Sequence, residues 1–215
     1  MKFKYLIIII AIVSLVLLYA LSFFSQPTVI SLATVSSYNG KQVVVTGVVT
    51  DYRTTTFGSQ IITIIDNQDN GSSPLILYIE GSLFVEYGDL VQATGTVQEY
   101  NSEWEIAVNN PRSVTIVQKW RNISFPLWQL AQYPQRYENT NVNVQGIVEK
   151  TYKTYFFLTD PDGKYSVVVY DSTSTTNFSK GDTVAVGARF VYEQENLRYV
   201  LKISEPTHFV HKQEE

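Results

Sequence analysis

"YNGKQVVVTGVV" (Tyr38–Val49) is answered about a hundred residues later by "YENTNVNVQGIV" (Tyr137–Val148). Each stretch is a tyrosine, a polar turn, an alternating valine run, a glycine inside that run, and further β-branched residues. Val, Ile, Thr and Tyr favour strands, and alternation with period two marks a half-buried one. A glycine inside such a strand marks a bulge or a close approach of another backbone.

The two stretches open two longer parallel readings. The first copy reads as strands at Gln42–Tyr52, Ser59–Asp66, Pro74–Glu80, Asp89–Tyr100 and Trp104–Val108. The second reads as Asn141–Lys153, Tyr155–Asp160, Tyr165–Asp171, Asp182–Gln194 and Leu197–Ile203. Landmarks recur in order. Gly47 answers Gly146, Asp66 answers Asp160, and "LILY" (75–78) answers "VVVY" (167–170). Gly88-Asp89 answers Gly181-Asp182, and Gly95 answers Gly187. A unit repeated at this length is a folding unit. A small barrel needs sharply bent strands, which gives Gly47, Gly95, Gly146 and Gly187 a structural role. Each Gly-Asp pair is expected to turn the chain into strand four.

The pattern V-x-V-x-G-x-V (Val43, Val45, Gly47, Val49; Val142, Val144, Gly146, Val148), followed by the strand-two Asp and a G-D-led strand four, carries a resemblance. Each copy resembles the nucleic-acid-binding OB-fold family of the tRNA-anticodon-binding type. The resemblance implies an all-β fold of two tandem five-stranded OB-fold barrels. Fold does not fix function here, because this barrel hosts many ligands.

An N-terminal segment precedes both copies. Lys2 and Lys4 come before Leu6–Phe24, 19 residues without a charge. At 1.5 Å per residue that is about 28 Å, close to one hydrocarbon core. The expectation is an uncleaved transmembrane signal anchor rather than a cleaved signal peptide. The positive-inside rule then puts the barrels outside the cytoplasm, as a single-pass cell-membrane protein. The domain reading is 1–26 anchor, 27–118 first barrel, 119–138 linker, 139–207 second barrel and 208–215 tail. In the linker, Leu127–Tyr133 is expected as a short helix capped by Ser124, with Trp120, Phe125, Trp128 and Leu130 available to dock the barrels.

Composition limits function. The chain has 215 residues, 45% hydrophobic and 17% charged, a folding composition. Net charge is −4, but residues 27–118 carry 3 basic and 9 acidic groups (net −6), whereas 119–215 carry 11 of each. The first barrel is therefore a poor polyanion site. No cysteine exists, which removes disulfides, thiolate chemistry and Cys metal sites. Asn-x-Ser sequons fall at Asn70, Asn122 and Asn177.

By family analogy the ligand face lies on strands two and three, framed by loops one–two and four–five. Single-strand binders set stacking aromatics beside cations. In the first barrel this points to Tyr52, Arg53, Phe57 and Tyr78. In the second it points to Lys150, Tyr152, Lys153, Tyr155, Tyr170 and Arg198, the better-charged set, with Lys164 nearby. The partner implied is a single-stranded nucleic-acid-like oligomer; the alternative is a surface protein partner with no nucleic acid. No metal, cofactor or catalytic set is expected, and the chain is not read as an enzyme. Turn-like Asp66, Asp69, Asp160 and Asp162 read as loop residues. A membrane-anchored OB barrel with a histidine tail is also similar to the haem chaperone of cytochrome c maturation. That family's His with Tyr four residues on is absent, since His208 leads to Lys212 and His211 to Glu215.

Overall fold

The computed structural model describes residues 2–24, 26–66, 73–171 and 178–213; in the first of these spans it describes side chains only at 5 and 7–19. Asp69 and the sequons at Asn70 and Asn177 lie outside the described residues.

Helix α1 runs over Lys2–Phe24. Every described side chain on it is exposed. The expected membrane span at 6–24 is not established by the fold. Among the described residues no helix is long and apolar enough to cross a membrane.

The first barrel follows a short edge strand, β1 (Thr28–Val29), and a 3-10 turn at Leu32–Tyr38. Its strands are β2 (Gln42–Thr54), β3 (Gln60–Ile65), β4 (Leu75–Ile79), β5 (Leu90–Tyr100) and β6 (Glu103–Val108). They hydrogen-bond in the order β2-β3-β4-β6-β5, and β5 returns to β2 to close the sheet. All these pairings are antiparallel except β4 with β6. β7 (Val114–Gln118) adds to β5.

After β8 (Ser124–Pro126) and α2 (Leu127–Gln132), the second barrel repeats the plan. Its strands are β9 (Thr140–Thr151), β10 (Tyr155–Thr159), β11 (Ser166–Asp171), β12 (Thr183–Glu193) and β13 (Arg198–Ile203). They close in the same order, with β11 parallel to β13. β14 (Phe209–Lys212), in the stretch expected as a tail, pairs with β12. The chain is thus all-β with two closed five-strand barrels, consistent with tandem OB folds.

The repeated glycine has a visible cause. β2 pairs with β5 over Gln42–Val48 and with β3 over Val48–Thr54, so one strand serves both halves of its barrel. At the changeover a Cβ on Gly47 would meet the Ile65 carbonyl at 2.9 Å, and one on Gly146 would meet Thr159 O at 2.8 Å. Glycine permits the bend because no side chain separates the backbones. Gly95 packs on the Ala107 carbonyl and Gly187 under the Phe209 ring. Alternating side chains fill each interior: Val43, Val45, Ile62, Ile64, Leu77 and Ile106 in the first, Val144, Val148, Leu158, Val169, Val186 and Leu201 in the second.

The Gly-Asp turn is built identically twice. Gly88 N donates to Val49 O (2.8 Å), Asp89 O accepts from Val49 N (2.9 Å), and Glu86 N donates to Asp89 Oδ2 (2.9 Å). Gly181 N donates to Val148 O (2.8 Å), Asp182 O accepts from Val148 N (2.9 Å), and Ser179 N donates to Asp182 Oδ2 (2.8 Å).

The linker differs from expectation at its cap. Ser124–Pro126 is extended because it pairs in parallel with β9, so Pro126 occupies the N-cap of α2 and no side chain caps it. Leu127, Leu130 and Phe125 pack into the second core, Trp128 is exposed, and Trp120 is buried between the barrels.

A polar joint surrounds Trp120. From the first barrel, Glu86 pairs with Arg121 and Lys119, and buried Asp89 pairs with Lys119 at 2.7 Å. From the second, Asn143 Nδ2 donates to Arg121 O (2.9 Å), and Arg189 lies 3.2 Å from the centroid of the Tyr87 ring. The Trp120 ring meets His208 edge-on and stacks on Phe209. Burial works to raise the Glu86 carboxyl, but nearby Thr207 and the hydrogen-bonded Arg121 and Lys119 outweigh it and hold it below its ordinary range.

His208 is expected to make this joint acid-sensitive. Its side chain is fully buried, and its Nδ1 accepts from Ser204 N (3.1 Å) and Glu205 N (3.3 Å). Burial lowers its pKa; nearby Glu205 and Glu86 oppose that shift and Arg189 reinforces it. Above the unfolded value of about 6.5 the ring is neutral in both states, and no linkage arises. Below it the unfolded chain takes up a proton that the folded chain refuses, so stability falls with pH down to the lowered folded value. A second loss runs from the ordinary carboxylate range down to the lowered value of Glu86, as the unfolded chain takes up a proton before the folded one. Urea midpoints measured from pH 7.5 downward are expected to decline first in the imidazole window. His208→Gln removes that first decline and leaves the lower one; an unchanged profile rejects this assignment.

Candidate ligand-binding faces

Strand alternation builds an aromatic platform on the outside of the second barrel. On β10, Phe156 and Leu158 point into the core, while Tyr155 and Phe157 are half-buried on the outer face. Tyr155 pairs with Tyr170 of β11, and Phe157 with Lys150 of β9. Tyr152 and Tyr155 stack at 4.5 Å between centroids, and Phe157 meets both edge-on at 6.1 and 6.0 Å. Tyr170 extends the patch 6.0 Å from Tyr155. Four rings are therefore contiguous, with Tyr152 the most open of them.

Cations border the platform. Lys150 Nζ lies 4.9 Å from the Tyr152 centroid. Its interaction with Tyr152 raises its pKa further above the neutral range. Lys153 is exposed at the loop beside it. Arg198 donates to the Tyr170 hydroxyl at 2.9 Å and pairs with Glu193 at 3.2 Å, so part of its charge is already met. Lys164 sits over Tyr165 in the β10–β11 turn, away from this patch. Phe157 was not among the sequence candidates, although its spacing of two from Tyr155 places both on one face.

In the first barrel, Arg53, Phe57 and Tyr78 line one cleft of about 490 Å³ with Ile61, Ile76 and Tyr100. Gln98, Glu103 and Glu105 line the same cleft. Tyr52 stands apart from this set. It packs against the core and lies 4.8 Å from the Tyr87 ring, on the joint side. A bulge between Val49 and Asp51 reverses the alternation there, so Tyr52 pairs inward with Ile62 and Arg53 outward with Ile61.

Among the described residues no three His, Cys, Asp or Glu side chains gather as a metal site. Asp160 is occupied as a turn acceptor, its Oδ1 taking Lys164 N (2.7 Å) and Tyr165 N (3.0 Å).

No family model matches this chain, and no curated protein matches it. Solved structures similar to it include fission yeast Pot1 with ssDNA, at 12% identity and a TM-score of 0.30, covering 85% of this chain and 87% of that one. A murine DNA binding protein bound with ds DNA gives 16% identity and 0.32, covering 80% and 97%. A putative aspartyl-tRNA synthetase from Leishmania major Friedlin gives 17% and 0.35; the match covers 44% of this chain and spans 21% of the synthetase. At these values the likeness carries no argument, and both fold and function rest on the residues themselves.

Proposed function

We propose that this chain is a non-catalytic binding protein, held at a membrane by α1, whose second barrel stacks a single-stranded nucleic-acid-like oligomer. The observation that carries the reading is the contiguous patch of Tyr152, Tyr155, Phe157 and Tyr170 with Lys150 over its open end. Planar rings offer stacking to any base, and cations at the rim offer contact to phosphates. The anchor rests on the uncharged run Leu6–Phe24 behind Lys2 and Lys4, which also orients the barrels away from the cytoplasm.

One experiment tests both parts. The full chain in neutral phospholipid vesicles is washed with alkaline carbonate, then titrated with fluorescein-labelled single-stranded DNA and RNA at two salt concentrations. The protein is expected to stay with the vesicles and to bind with a salt-dependent affinity. Tyr152→Ala should weaken binding by about 5- to 150-fold, the equivalent of about 1–3 kcal/mol per stacked base. Lys153→Ala should reduce the slope of log K against log salt by about 0.7. Release by carbonate would remove the anchor; no binding at low salt would remove the oligomer.

A further inference from the structure

We infer that the cleft of the first barrel is a second site of opposite chemistry, which takes an arginine or lysine side chain from a basic peptide segment of a partner protein. It lies apart from the platform proposed above and does not depend on it.

The two barrels can be compared position by position, because their registers agree. Ile76 pairs with Glu105 in the first barrel, and Val168 with Val200 in the second, so Glu103 occupies the place of Arg198. Asp51 likewise occupies the place of Lys150, each being the first residue past the bulge. Two cations bordering the second face are thus two carboxylates bordering the first. Among the described residues Arg53 is the one cation lining the cleft, which Glu103 and Glu105 also line. The surrounding region, 27–118, is at net −6. Such a field repels phosphates and draws cations in.

The cleft also wants apolar matter. Its floor is Ile61 and Ile76, on an outer sheet face that polar residues ordinarily cover. Phe57 at its mouth is 95% exposed and Tyr100 63%. Glu105 is buried, and Gln98 Nε2 donates to it at 2.6 Å. A wholly apolar ligand would cover that carboxylate and leave its charge unmatched, which is costly. A Lys or Arg side chain meets each demand. Its methylene stem covers the isoleucines, its charge reaches Glu103 or Glu105, and the rings at the mouth attract the cation. Charge complementarity therefore identifies the occupant as a basic segment.

The test uses the full chain in neutral detergent and two fluorescein-labelled pentapeptides, one with two arginines among glycines and one with two glutamates. Saturable binding of the arginine peptide is expected, with none of the glutamate peptide. Glu103→Gln should weaken it by about tenfold, as befits one charge-assisted hydrogen bond, and Phe57→Ser should weaken it as well. Both residues are exposed, so near-UV circular dichroism should stay unchanged. Tyr152→Ala should leave peptide binding intact, which separates this site from the oligomer platform. Equal binding of both peptides, or insensitivity to Glu103→Gln and Phe57→Ser, overturns the inference. So does concentration-dependent self-association that Glu103→Gln abolishes, since the occupant would then be a second copy's basic loop.

Discussion

Asp89→Ala is expected to lower the unfolding free energy by about 3–5 kcal/mol, the range for breaking a buried charge pair, whereas Asp182→Ala should lose only about 1 kcal/mol. The two aspartates hold the same position in the same turn, so the contrast isolates surroundings from motif. Asp89 has no exposed side-chain surface and receives Glu86 N, Trp120 N at 3.3 Å and the Lys119 ammonium. Its removal leaves two buried N–H groups and a half-buried ammonium facing the Glu86 carboxylate alone. Asp182 is 20% exposed and pairs with Lys212, itself 55% exposed, so water takes over much of what its loss uncovers. The lowered pKa of Asp182, caused first by its hydrogen bond with Lys212, describes a screened surface pair. Urea unfolding of the full chain in neutral detergent, followed by tryptophan fluorescence, reads both variants. Equal losses would show that the turn alone sets the value and that the joint adds nothing.

Most of the barrel plan is legible in the sequence because it is stated twice. Two valine runs broken by glycine, two Gly-Asp turns and two strand-three runs fix five strands per copy within a residue or two. Less legible are the edge strands at Thr28–Val29, Val114–Gln118 and Phe209–Lys212, which are short and take their pairing from a partner far along the chain. The platform shows why the site residues were only partly legible. Alternation counted from Val43 and Val45 puts Tyr52 outward, and counted from Val142 and Val144 it puts Lys150 and Tyr152 inward. One extra residue in each long strand reverses both counts. A bulge carries no composition signal beyond the glycine nearby, so facing past it cannot be counted along one strand. The joint was illegible for another reason: it gathers Glu86, Lys119, Arg121, Arg189 and His208 from segments that only the fold brings together.

Gly88→Ala tests whether that joint makes one body of two barrels, and a loss of about 3 kcal/mol or more is expected. Any L residue at a left-handed φ costs about 1–2 kcal/mol, and both turn glycines lie there, Gly88 at +87° and Gly181 at +94°. Beyond that shared cost they differ. Among the described residues, a Cβ on Gly181 would meet nothing within 4 Å. A Cβ on Gly88 would run into the Asn141 carbonyl oxygen, with Trp120 Cβ at 3.1 Å and Asn141 N at 3.2 Å. Asn141 is backbone of β9, the strand shared by both halves of the second barrel, so it cannot shift without disturbing that barrel's closure. The cheaper response is for the barrels to part, exposing Asp89 and Trp120. Gly181→Ala should therefore cost only the conformational 1–2 kcal/mol, while Gly88→Ala adds the separation. Hydrogen exchange at the Trp120 and Asn122 amides should accelerate in Gly88→Ala and stay slow in Gly181→Ala. If both variants lose the same amount and exchange alike, the barrels are independent beads. Their two faces would then act separately. If Gly88→Ala alone opens the joint, the acidic cleft and the basic aromatic platform stand in fixed relation, and the two proposed ligands would be held at a set separation.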